Sequence, residues 1–279
     1  MSAAGDKKTF SRVAIIGTGA IGCSVACLVK GRGLAGEVVG IDCLAAHLEM
    51  ARRLGFIDRA TDDPVRGTMG AQVVVLAVPL HQVFIVAEKI GPHLRPDAAW
   101  TCTAGTTVRV RKQIASAVAQ GGLFVPSFPL VYTRGAGPAA ASPELLAGGP
   151  CLVAESDDYQ EGALERVLSF WRDLGTEVET QDAERFEWTV AAVHYWPQLL
   201  AATIKKMASE NSWQLGGAAL GCLLDSIEVG AEMDKSFQLH ARRLGGLLSQ
   251  LSGECDRLGK NFGFDRADMP INGRDDNGS

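Results

Sequence analysis

The sequence predicts an α/β domain followed by an all-helical domain, and three observations carry that reading. Up to Asp182, short apolar runs alternate with segments of helical period; beyond it only the helical period continues. Near the start, Gly17, Gly19 and Gly22 stand between an apolar run at 13–16 and a helical pattern through Ile21, Val25, Leu28 and Val29. A second apolar run, 37–41, ends in the carboxylate of Asp42.

That glycine spacing is what a strand-to-helix turn needs to hold a diphosphate. Gly17 permits the tight turn, Gly19 lets the backbone approach the ligand, and Gly22 lets the helix lie close on its strand. Thr18, Gly19, Ala20 and Ile21 then bring the phosphate charge to the free N–H groups at the helix N-terminus. A carboxylate at the end of the next strand accepts both ribose hydroxyls of NAD and repels the extra phosphate of NADP, so Asp42 makes NAD the expected cofactor. The plain alternative is a glycine-rich turn in an unrelated α/β domain. With its flanking strands and helix, the motif predicts a Rossmann NAD-binding domain.

The other elements follow in order. A helix is expected over 45–54, with Gly55 as its stop. The apolar, β-branched run 72–77 reads as a parallel strand covered on both faces. Pro79 ends it, which puts Val78 and Pro79 at the carboxyl edge of the sheet beside the cofactor. Next come a helix over 83–90, a strand over 100–103, the small polar turn 104–107 and a helix over 109–119. Strands are expected at 123–126 and 151–154, separated by a loop rich in Gly, Pro and Ala. A helix over 162–174, apolar at Leu164, Val167, Leu168 and Trp171, and a last strand at 176–179 close the domain.

After Asp182, the pattern through Trp188, Val190, Ala191, Val193, Leu199, Leu200 and Ile204 marks one long helix that Pro197 kinks or breaks. Apolar stripes over 220–227 and 239–251 mark further helices. Helices of this kind do not bury themselves alone, so a homodimer is expected. The division is 1–182 for the dinucleotide-binding domain, 183–264 for a helical dimerisation and substrate domain, and 265–279 for a charged, Gly-rich tail expected to be disordered.

With 279 residues, 47% of them apolar, and a net charge of −5, the composition is that of an ordinary soluble protein. No stripe of Lys and Arg interleaves with aromatic residues, which argues against a nucleic-acid-binding surface; Arg109, Arg111 and Lys112 read as a solvated helix face. No apolar run reaches the length of a membrane span, and the N-terminus lacks the apolar core of a signal peptide. A cytoplasmic location is therefore expected. The seven cysteines show no CxxC spacing and read as reduced thiols, and no metal site is expected.

Several segments together resemble the prephenate/arogenate dehydrogenase family. They are the run 36–42, Gly55-Phe56-Ile57-Asp58 with Ala60-Thr61, Leu76-Ala77-Val78-Pro79, Gly148-Gly149-Pro150, and Leu174-Gly175-Thr176-Glu177-Val178. The resemblance spans residues 12–207. It implies a Rossmann domain followed by a helical dimerisation domain, with the active site in the cleft between them. It also implies oxidation of a carboxylated cyclohexadienol, hydride transfer to a nicotinamide, and loss of CO2. The family's motif positions carry other residues here. Its aspartate, serine and lysine stand at Cys102, Gly105 and Thr107; the histidine of its His-Pro-Met-Ala-Gly motif is Phe128; the two histidines of its Ser-His-Leu-Pro-His motif are Tyr195 and Gln198.

Imidazole titrates near 6.5 and takes a proton at neutral pH, whereas phenol sits near 10. Tyr195 therefore donates a hydrogen bond, and acts as a base only if its pKa is depressed. His194 is the neighbouring imidazole, turned by about 100° on a regular helix unless the helix is broken near Pro197. His194, Tyr195 and Thr106 are the candidate catalytic residues. Tyr132, Arg134, Thr107, Gln198 and Phe128 are the candidate substrate contacts, Arg134 being able to clamp a carboxylate. The plain alternatives are a structural His194 and a solvated Arg134. The expected function is an NAD-dependent oxidoreductase acting on a carboxylated cyclohexadienol or related small acid, with or without decarboxylation. The second reading is a catalytically silent NAD-binding sensor or scaffold.

Overall fold

The computed structural model describes residues 9–118, 123–133, 135–210 and 233–261. Among these, six parallel strands form one sheet: β1 (Phe10–Ile16), β2 (Ala35–Ile41), β3 (Arg59–Thr61), β4 (Val73–Leu76), β5 (Ala99–Cys102) and β6 (Leu123–Phe124). Their order is β3-β2-β1-β4-β5-β6, so the winding reverses between β1 and β4, the switch point at which such sheets take ligands. The helices between them are α1 (Ala20–Gly31), α2 (Ala45–Arg53), α3 (Pro64–Thr68), α4 (Leu80–Ile90) and α5 (Val108–Ala117), and α6 (Ala163–Asp173) follows.

The apolar runs are continuous because both faces of the sheet are covered. Val13 and Ile15 point into one core with Val25, Val29 and, from α6, Trp171. Ala14 and Ile16 point into the other, with Val83 and Ile90 of α4 and Ile114 of α5. α4 starts three residues earlier than its periodicity suggests, because Pro79 itself stands at the helix N-cap. β3 and α3 are too short to show a period. Even so, α3 carries readable start signals: the Asp63 side chain accepts from the N–H groups of Val65 and Arg66, and Pro64 opens the helix.

The later strands depart from the expectation. Of the run 123–126 only the first two residues are strand, since β6 ends at Phe124, and the expected loop opens with a further strand: β7 (Ser127–Pro129) pairs antiparallel with β8 (Pro150–Glu155). β9 (Glu177–Asp182) adds parallel to β8, so these three strands form a second small sheet. Ser127 ties the two sheets together. Its hydroxyl donates to the Cys102 carbonyl at 2.7 Å and lies 2.7 Å from Thr101 Oγ1. Arg111 also differs from its expected solvated position. The segment before α6 covers it, with Tyr159 under its guanidinium at 5.7 Å and Asp158 bonded at 3.2 Å.

Beyond β9, α7 (Ala183–Val190) runs through a π-helical turn, Ala191–Tyr195, into α8 (Trp196–Glu210). Pro197 has no N–H to offer the Val193 carbonyl and its ring crowds the preceding turn. The expected break takes the form of that π-turn. α9 (Met233–Leu239) and α10 (Ala241–Asn261) follow; α9 meets α4, and α10 meets the π-turn. The stripe 220–227, the tail 265–279 and Arg134 lie outside the described residues. Among the described residues no helix is long and apolar enough to cross a membrane, and Cys23, Cys102 and Cys151 are buried free thiols.

Candidate functional site

β1 delivers the chain into Gly17 at φ +95°, a conformation L side chains rarely adopt. A Cβ there would also stand 2.2 Å from the Ala77 carbonyl oxygen, and one on Gly22 would stand 1.9 Å from the carbonyl oxygen of Gly17. Both glycines are thus required by the fold itself. Gly19 is not: a Cβ there would meet nothing within 4 Å. Gly19 is the N-cap of α1, with no side-chain cap and no acidic residue in the first turn, Ala20 and Ile21 included. A helix end left open this way fits an anion approaching its free N–H groups. Val78 packs beside Gly17, and Pro79 starts α4 at the same edge.

Asp42, at the end of β2, is anchored from inside. Oδ2 accepts from the backbone N–H and the hydroxyl of Thr18 at 2.8 and 3.0 Å, and Oδ1 accepts from the Leu44 N–H at 2.9 Å. Burial works to raise its pKa. The Leu44 and Thr18 hydrogen bonds, with His47 beside it, outweigh that and hold the carboxyl below its usual value. The group is therefore ionised, and Oδ1 keeps acceptor capacity for a ligand hydroxyl. Thr18 serves this carboxylate: its side chain and its N–H both point to Asp42 rather than to the helix end.

The second part of the site forms where the helices close on the turn after β5. Gly105 has φ +59°, and a Cβ there would lie 2.8 Å from Val190 and 3.1 Å from Phe128. Tyr195, buried, donates its hydroxyl to the Ala104 carbonyl at 3.3 Å. The His194 ring lies 5.2 Å from that of Phe128 and 4.8 Å from that of Tyr195, and its Nε2 is 3.1 Å from Gln198 Nε2. Thr106, in the same turn, has a buried hydroxyl with no hydrogen-bond partner among the described residues. Thr107 is occupied differently, its hydroxyl capping α5 by accepting from the Val110 N–H.

The structure thus gathers Phe128, His194, Tyr195 and Gln198 against the turn that carries Thr106. Tyr132 stands apart at 57% exposure. The loop it opens continues onto the α1–α2 side, where Gly137 lies against His47 and the Ser142 N–H donates to Ser24. One residue of the cluster was not singled out from the sequence. His240, between α9 and α10, is buried with its ring 4.5 Å from that of Tyr195. Both its ring nitrogens lack a hydrogen-bond partner among the described residues. A lone histidine between helices, in a stretch without a family motif, gives no local signal. Burial brings the pKa values of His194 and His240 down to about 4, and pushes that of Tyr195 up. At neutral pH the imidazoles are unprotonated and the phenol is a hydrogen-bond donor.

Residues 25–180, more than half of the chain, match the family model for the prephenate dehydrogenase nucleotide-binding domain. The chain belongs to that family. It is 28% identical over 233 residues to the cyclohexadienyl dehydrogenase of Zymomonas mobilis, covering 82% of this chain and 79% of that protein. It is 21% identical over 206 residues to the prephenate dehydrogenase of Bacillus subtilis, covering 73% of this chain but only 56% of that protein. Among solved structures it aligns at TM-score 0.82 with prephenate dehydrogenase from A. aeolicus in complex with hydroxyphenyl propionate and NAD+, at 18% identity and 91% coverage of each chain. Synechocystis arogenate dehydrogenase aligns at TM-score 0.72 and 20% identity, covering 90% of this chain and 92% of that one. These structural likenesses extend the shared fold beyond the dinucleotide-binding part into the helices.

Proposed function

We propose that this family member is an NAD-dependent oxidoreductase that takes hydride from a carboxylated cyclohexadienol or a related small acid. The observation that carries the reading is the cluster of half-buried His194 with buried Tyr195 and His240, tied through the Tyr195 hydroxyl to Ala104 at the carboxyl edge of the sheet whose switch point holds the glycine loop. Such an edge is where doubly wound sheets place ligand and chemistry together. The A. aeolicus relative, solved with NAD+ and a phenolic carboxylate, supports the same pairing.

Gly17, Gly19, Ala20, Ile21 and Gly22 would hold the diphosphate, Thr18 would fix Asp42 on the adenosine ribose, and Val78 and Pro79 would line the path between. NAD, when bound, supplies the hydride acceptor. On the protein side, Tyr195 donates a hydrogen bond and the unpaired Thr106 hydroxyl is free to bond a ligand amide or hydroxyl. Phe128 and Gln198 shape the floor around His194, and Arg134 is our candidate for clamping the substrate carboxylate. Thr107 acts through α5, which it caps. We place the domain boundary at Asp182 and pair the helical parts of two copies. Leu248, Leu251 and Leu258 on α10, with Trp188 and Val193, are large apolar side chains left exposed in one chain.

Steady-state assays of NAD+ reduction with prephenate and arogenate test this reading. Turnover on prephenate should be slow at pH 7, because Phe128, Tyr195 and Gln198 replace the family's imidazoles. NAD+ binding without turnover on any carboxylated cyclohexadienol would favour the silent NAD-binding reading instead. That second reading draws on the same three replacements.

A further inference from the structure

We propose that His240 is the proton acceptor of this reaction and that His194, its neighbour in the family's interdomain helix, positions the site without taking the proton. The inference rests on the oxidoreductase reading above and names the base within it.

The two imidazoles differ in what their nitrogens are doing. A neutral imidazole has one N–H and one lone pair. The Gln198 amide lies 3.1 Å from His194 Nε2 and engages that nitrogen. His194 is held by that contact, edge-on to Phe128. His240 makes no such bond. It is 1% exposed, and among the described residues neither nitrogen finds a partner. Each buried polar group left unmade costs about 1–3 kcal/mol, so native proteins rarely keep one without a ligand or water to complete it. Two on one ring, inside a cluster at the ligand edge of the sheet, point to a group that arrives with the substrate.

The position suits the task. The His240 ring lies against Tyr195, whose hydroxyl reaches the Ala104 carbonyl just beyond β5, and Leu80, the first residue of α4, closes the same cluster. The titratable and charged groups bearing on His240 are His194 and Tyr195 from the π-turn and Arg243 from α10, while α4 carries His81 in its first turn. No carboxylate is among the resolved influences on either imidazole. Among the described residues nothing supplies a counter-charge for an imidazolium, and a carboxylated substrate brings one. In the step, the substrate's carbinol C–H electron pair leaves as hydride to the oxidised nicotinamide. The O–H bond breaks, its proton goes to the free lone pair of His240, and its electrons form the C=O bond.

The test uses the full chain saturated with NAD+, titrated calorimetrically with 3-(4-hydroxyphenyl)propionate in buffers of different ionisation enthalpy, so that proton uptake is read with affinity. Wild type should bind with a proton uptake that His240→Gln abolishes. His240→Phe, which fills the space but offers no lone pair, should bind about tenfold more weakly or worse. NAD+ affinity should be unchanged in both and serves as the check on folding. In turnover, on whichever of prephenate and arogenate reacts faster, His240→Gln should lower kcat about 10²-fold or more with a smaller change in KM, and should remove the imidazole limb of the kcat–pH profile. Wild-type affinity and proton uptake in both His240 variants would overturn the assignment. So would a His194→Asn variant that loses proton uptake while His240→Gln keeps it. Failure of the wild-type, NAD+-bound protein to bind the phenolic acid at all would instead count against the oxidoreductase reading itself.

Discussion

Replacing Gly19 by alanine should separate the dinucleotide from the fold. Gly19 sits at φ −74° and ψ −166°, a conformation alanine adopts, and its Cβ would meet nothing within 4 Å. In such a position Gly→Ala gains about 0.4–1 kcal/mol through the unfolded chain, against a few tenths lost at an N-cap. At roughly 2–4 °C per kcal/mol for a chain of this size, the melting temperature should move by no more than about 4 °C. The methyl group stands, however, where a diphosphate must approach the N-terminus of α1. Losing one charge-assisted hydrogen bond of about 1.5–3 kcal/mol weakens binding roughly 10- to 100-fold. Gly22→Ala gives the contrast: its Cβ would fall 1.9 Å from the Gly17 carbonyl oxygen, so backbone must move and stability should drop by about 1–3 kcal/mol. Thermal unfolding by circular dichroism, paired with NAD+ titration followed by tryptophan fluorescence, measures both. Unchanged NAD+ affinity in Gly19→Ala, or a loss of stability matching that of Gly22→Ala, would refute the reasoning.

Asp42→Ala should narrow the preference for NAD+ over NADP+ and lower the melting temperature, since Thr18 and Leu44 lose their acceptor; equal wild-type affinity for the two dinucleotides would contradict the role. Stability should fall on acidification. His194 and His240 titrate near 4 in the fold and near 6.5 unfolded. The unfolded chain therefore binds more protons between those values, and the stability present above pH 6.5 is lost as pH falls towards 4. Each imidazole accounts for roughly 2 kcal/mol between pH 7 and 5. Urea unfolding at the two pH values reads this, and His240→Phe should remove about half of it. Light scattering of dilute protein should report a dimer; a stable folded monomer would rule out pairing through α10.

The legible parts of the molecule are those that depend on local chemistry. The glycine loop, Asp42 and the strand ending at Leu76 are set by turn geometry and by burial on both faces, and both leave a pattern in adjacent residues. Pro197 announced a break, because a missing N–H is a local fact. It could not say that the break would be a π-turn carrying His194 and Tyr195. β8 and β9 were legible as strands, but β7 fell in the expected loop and the second sheet was not legible, since pairing is decided by partners such as Ser127 and Cys102 far apart in the chain. Arg111 looked solvated because its cover, Tyr159 and Asp158, comes from another segment. His240 was invisible for the same reason: the ring packed against it, Tyr195, comes from another helix, and nothing beside it in sequence marks it.

The most direct test of the whole is a crystal structure of the protein with NAD+ and 3-(4-hydroxyphenyl)propionate. We expect the diphosphate over Gly19, the adenosine ribose on Asp42, and the nicotinamide beside Thr106. The phenolic hydroxyl should lie within hydrogen-bond distance of His240. A dinucleotide bound elsewhere, or a phenolic acid seated away from the cluster of His194, Tyr195 and His240, would contradict it.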